Sequence, residues 1–75
     1  MNQKIELLDT VALARDLPER NLRQGEVGTV VEVLTPEVYE VEFSDDDGQT
    51  YAEFAAREDQ LIVLHNQGKG WRSAA

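Results

Sequence analysis

The sharpest pattern in the chain is Tyr39-Glu40-Val41-Glu42-Phe43, in which apolar side chains alternate with carboxylates. A period of two places Tyr39, Val41 and Phe43 on a dry face and both glutamates on a wet one, which predicts a half-buried strand. Just before it, Thr29-Val30-Val31-Glu32-Val33-Leu34 is rich in β-branched residues. Their stiff χ1 angles suit a pleated surface better than a helix. Pro36 has no N–H to give a ladder, so Thr35-Pro36-Glu37 reads as the turn between the two strands. Gly25 and Gly28 bracket the entry to this hairpin and suit a turn or a close approach of backbone.

The flanks supply three more strands. Asp9 to Ala14 reads as the first, with Val11 and Leu13 facing inward. Lys4 to Leu8, ahead of it, is a single helical turn or a lead-in. Arg15 to Gln24 is a long polar loop, and Leu17 and Leu22 are its two pins to the core. Ser44-Asp45-Asp46-Asp47-Gly48 ends in Asp-Gly, a strong hairpin signal. Gln49 to Phe54 is the fourth strand, where the spacing of Tyr51 and Phe54 asks for a bulge or for burial on both faces. Ala55 to Asp59 reads as a tight 3-10 turn, and Leu61 to Leu64 as a short, buried last strand. The expectation is an all-β domain over residues 5–64, a small five-stranded SH3-like barrel with a 3-10 turn before the last strand. Residues 65–75 are expected to be a flexible C-terminal tail. Closure would remove the sheet edges. Val11, Val31, Val41 and Phe43 are the expected core; Tyr39, Phe43, Tyr51 and Phe54 are either its aromatic members or an aromatic surface for proline-rich peptides, as in SH3 grooves.

Composition narrows the function. At 75 residues without cysteine, the chain has neither disulfide staples nor a Cys-rich zinc cluster. The opening residues lack an apolar run, and no segment approaches the roughly 20 apolar residues of a membrane span. A cytoplasmic location is expected. Charge is uneven: residues 37–59 carry nine acids against Arg57 alone, a net of −8. Nucleic acids are bound by neutralising phosphates with Lys and Arg, so this region should repel them and attract a basic protein. Alternatively, its acidity serves solubility alone.

Catalytic chemistry finds no foothold. With Gly48 at position 6 of a calcium loop, positions 1 and 12 fall on Phe43 and Phe54, so the acidic turn is no EF-hand. His65 lacks companions for a metal, or a nucleophile and orienting acid for catalysis. Gly68-Lys69-Gly70 lacks the spacing and hydroxyl of a P-loop. No cofactor or metal is expected, and the chain reads as a non-enzyme. Trp71, flanked by Lys69 and Arg72, is either a partner's anchor or part of a disordered end.

Two resemblances follow from these residues. Gly25-x-x-Gly28-x-Val30-x-x-Val33 with Tyr39-x-Val41-x-Phe43 resembles the KOW motif of ribosomal proteins and transcription elongation factors, which implies nucleic-acid binding. The strands here carry Glu32, Glu40 and Glu42 where such domains present basic loops. Over residues 5–64, Glu6-Leu7-Leu8-Asp9-Thr10-Val11-Ala12-Leu13, Leu17-Pro18-Glu19, Gly25-x-Val27-Gly28-Thr29-Val30-Val31-Glu32-Val33, Tyr39 to Phe43, Asp47-Gly48-x-Thr50-Tyr51-Ala52 and Asp59-Gln60-Leu61 resemble a family of short bacterial proteins of unknown function. That resemblance implies a toxin–antitoxin or immunity setting and carries over no active residues. The expected function is therefore an acidic protein–protein interaction module binding a basic partner through Glu40, Glu42, Asp45, Asp46, Asp47, Glu53 and Trp71. A KOW-like nucleic-acid domain and a structural subunit are the alternatives, and a homo-oligomer is a further way for so small a domain to gain stability.

Overall fold

The computed structural model describes residues 4–64. It holds five strands, β1 (Thr10–Leu13), β2 (Val27–Thr35), β3 (Val38–Ser44), β4 (Thr50–Arg57) and β5 (Leu61–Val63). Two 3-10 turns, Pro18–Arg20 and Glu58–Gln60, complete the elements, the second immediately before β5. The strands form one antiparallel sheet in the order β4-β3-β2-β1-β5. The all-β architecture is as expected, but the barrel is not closed. β4 and β5 are the two edges of the sheet. β5 pairs with β1 along one side and has no strand on its other side among the described residues.

Side chains bridge the open side instead. The guanidinium of Arg20, in the loop between β1 and β2, lies 4.1 Å from the centre of the Phe54 ring on β4. Such a cation over an aromatic face is attractive because the ring quadrupole is negative there. The Tyr51 hydroxyl donates to Glu26 Oε1 at 2.8 Å, tying the start of β4 to the residue before β2. Leu17 and Leu22 pair as an isolated bridge and are both buried, so they do pin the loop.

The inner face holds Val11 and Leu13 of β1, Val30 of β2, Tyr39, Val41 and Phe43 of β3, Phe54 and Ala56 of β4, and Leu61 and Val63 of β5. Each fully buried aliphatic or Phe side chain contributes about 1.5–3 kcal/mol. Ile5 joins this core from the lead-in, where Leu7 and Leu8 form a turn. Val30, not Val31, is the core residue of β2. The pairing of β2 with β3 shifts between Val30 and Glu32 and again between Val33 and Thr35, so strict alternation fails in β2. Gly28 sits where a Cβ would lie 2.8 Å from Val41 Cγ1 and 2.9 Å from the Glu42 carbonyl oxygen. The other bracket, Gly25, is needed for its φ of +91°. Turn and close approach are thus divided between the two glycines.

β4 runs to Arg57, beyond the expected end at Phe54, because Ala55 and Ala56 continue the ladder to Glu40 and Tyr39. The expected bulge is present as a register shift between Phe43 and Ser44, opposite Tyr51. Tyr51 is not core, however, being half exposed with its ring centre 6.3 Å from that of Phe43. Phe43 and Phe54 stack at 5.7 Å.

Candidate functional site

The outer face of the sheet is built by the same alternation that builds the core. In an antiparallel ladder, directly opposed residues share a face with Cβ atoms about 4.5–5.5 Å apart. Glu42 of β3 lies opposite Glu53 of β4, and Glu32 of β2 lies opposite Glu40 of β3. Four carboxylates therefore cluster across three strands. Among the described residues the ion pairs are Lys4 with Glu6 and Arg57 with Asp59, so none of the four glutamates has a cationic partner there. The carboxyl of Glu53 titrates above its ordinary value, although it is exposed. Loss of hydration among its neighbours is the first cause, followed by a hydrogen bond with Glu40 and the charges of Glu40 and Glu42. A bond between two carboxyls needs a proton on one of them. Thr50 on β4 donates its hydroxyl to Glu42 Oε2.

The Asp45–Asp47 turn is a separate structure. Asp45 Oδ1 accepts the backbone N–H groups of Asp47 and Gln49, each at 2.9 Å, and so builds the hairpin turn from within. The Gly48 N–H donates to the Asp45 carbonyl at 3.0 Å, with Gly48 at φ +81°. Asp46 and Asp47 are exposed at the tip. The seven predicted site residues thus divide: Glu40, Glu42 and Glu53 meet on the sheet, Asp45, Asp46 and Asp47 occupy the turn, and Trp71 lies outside the described residues. Glu32 completes the sheet cluster and was not among them. Its signal was present as the lone acid in β2, but only the shifted register shows that it faces Glu40. No group of three His, Cys, Asp or Glu side chains among the described residues is arranged to hold a metal ion.

Beyond the carboxylates the outer face also carries an apolar row. Val27, Ala12 and Ile62 stand in one row across β2, β1 and β5, with Val27 and Ile62 about half exposed. Thr10 and Thr29, paired with each other, separate this row from the carboxylates. Elsewhere, an open cleft of about 490 Å³ is lined in part by Val33, Glu37, Tyr39 and Glu58. The Tyr39 hydroxyl donates to the Pro36 carbonyl at 2.6 Å. Burial, then Glu58 and Glu37, push its ionisation above the ordinary value.

These features define a small all-β domain, an open five-stranded sheet with a dry inner face and an outer face that carries an acidic cluster and a separate apolar row. No helix among the described residues is long and apolar enough to cross a membrane. The chain matches the model of a domain of unknown function, DUF4926, over residues 7–63, and it belongs to that family. No curated protein and no solved structure matches it.

Proposed function

We propose that the chain is a non-enzymatic protein-binding module whose acidic outer face takes a basic partner, in the manner of an antitoxin or immunity protein. The observation that carries this reading is the cluster of Glu32, Glu40, Glu42 and Glu53, with no cation beside it among the described residues. Like charges set opposite one another weaken a sheet, so a stability argument alone does not account for them. A basic surface laid over the cluster would relieve that repulsion. If the partner is a nuclease-like toxin, the carboxylates would occupy the surface that otherwise binds phosphates. The tip acids Asp46 and Asp47 extend the negative field, which speeds encounter more than it strengthens the final complex.

The test is a pull-down with the product of the neighbouring gene, followed by association rates for Glu40→Lys and Glu42→Lys across a salt series. Slower association and a flattened salt dependence are expected, with the far-UV spectrum unchanged. Affinity indifferent to both changes would sink the acidic-face reading. A gel shift with RNA or DNA at low salt would favour the KOW-like alternative instead. Co-purification of a larger enzyme from the native cell would favour a structural subunit.

A further inference from the structure

We propose that the free edge of β4 pairs with β4 of a second copy, antiparallel and centred on Ala55, to make a two-fold dimer with one continuous sheet. β4 has β3 on one side and no strand on the other among the described residues. From Ala52 to Arg57 its pairing with β3 runs without a register shift, so this part of the edge is straight. It contains neither Pro nor Lys, residues that commonly guard exposed edges.

The backbone sets which groups are offered. The Glu58 N–H donates to the Glu37 carbonyl at 2.9 Å, continuing the β3–β4 ladder. Bonded residues alternate along an antiparallel strand, so Ala56, Phe54 and Ala52 also turn their main-chain groups toward β3. Ala55 and Glu53 then turn theirs outward. The Arg57 N–H, on the same outward set, is satisfied by Gln60 Oε1 at 2.8 Å, which leaves its carbonyl to offer. In the proposed register, Ala55 exchanges both main-chain bonds with Ala55 of the second copy. Each Glu53 N–H meets the carbonyl of the opposing Arg57.

Charge selects this register from its neighbours. Centring on Ala55 sets each Glu53 opposite Arg57 of the other chain, twice by symmetry. Centring on Glu53 would oppose two carboxylates, and centring on Phe54 would leave Glu53 facing Ala55 and Arg57 facing Tyr51. Arg57 is free to turn, because its bond to Asp59 joins two side chains that are 62% and 63% exposed. The exchange brings a cation to the carboxylate crowded by Glu40 and Glu42. Main-chain bonds supply the affinity here and side chains the register, as in strand addition generally.

The test is sedimentation velocity on the full 75-residue chain from about 1 μM to about 1 mM, with no basic partner present, so that its outcome is independent of the acidic-face reading. A dimer is expected at the upper end. Ala55→Pro removes the outward N–H without touching the ladder to β3, and should leave a folded monomer by far-UV spectroscopy. E53R and R57E each set like charges together and should weaken the dimer by about tenfold or more. Because E53R adds a cation beside Glu40 and Glu42, it keeps a folded monomer in hand if the proline variant does not fold. The double variant E53R/R57E exchanges the charges and should restore the dimer. A chain that stays monomeric throughout, a dimer indifferent to A55P while folded, or a double variant no better than the single ones overturns the proposal.

Discussion

β3 presents two faces that obey opposite rules. On the inner side, Tyr39, Val41 and Phe43 are buried against one another and against Phe54 and Ala56. On the outer side, Glu40 and Glu42 meet Glu32 and Glu53, side chains that repel. The two sets interleave residue by residue on one backbone, so the ladder is common to both. What differs is the sign of the side-chain energy: the inner face holds the sheet together and the outer face pushes against it.

The contrast can be broken most violently from inside. Phe43→Ala removes a fully buried ring at the centre of the core and should cost about 3–5 kcal/mol. A domain of this size rarely has more than about 3–5 kcal/mol to lose. Loss of the β signature in far-UV circular dichroism at 25 °C is therefore expected. Gly28→Ala comes next, because its Cβ would press on Val41, the Glu42 carbonyl and Phe43 at 3.0 Å or less. Overpacking of this kind costs about 1–3 kcal/mol, to be read as a lowered urea midpoint with an unchanged slope.

Outer-face changes should be smaller and of opposite sign. Glu40→Gln removes the charge facing Glu32 and crowding Glu53, and should raise stability by roughly 0.2–1 kcal/mol in a denaturant titration. A loss of stability would mean that these glutamates make favourable contacts. The pH dependence sharpens the same point. Glu53 binds its proton more tightly folded than unfolded, so its contribution is fully present below the unfolded value near 4.5. That contribution is lost as pH rises through the higher folded value. The melting temperature of the E53Q variant should lack this component of the profile. Tyr39 behaves alike at the alkaline end: folding raises its pKa, so stability falls as pH climbs beyond about 10. Tyr39→Phe should blunt that fall.

Much of this was legible in the chain. The alternation from Tyr39 to Phe43 and the Asp47-Gly48 pair define the second hairpin, and the spacing of Tyr51 and Phe54 announced the bulge that sits there. Period-two patterning fails where the ladder slips. In β2 the register shift between Val30 and Glu32 exchanges the roles of Val30 and Val31 and turns Glu32 toward Glu40, which composition does not encode. Closure was beyond reach for another reason. Alternation assigns faces, whereas the meeting of β4 and β5 depends on the twist and curvature of the whole sheet, which a period of two does not carry. The acidic site was half legible: linear proximity grouped the Asp45–Asp47 turn with Glu40, Glu42 and Glu53, but Asp45 spends its carboxylate on its own turn.

The adjacency of β1 and β5 bears on how the chain is made. β1 lies between β2 and β5, and the Leu64 N–H donates to the Thr10 carbonyl at 3.0 Å. On the ribosome, the meander of β2, β3 and β4 can assemble once Arg57 has emerged. β1 must wait for Leu61 to Val63 before its second flank is covered, and the pairing then spans some fifty residues of sequence. Translation halted just short of that point would leave a nascent chain with Val11 and Leu13 missing their neighbours across the ladder.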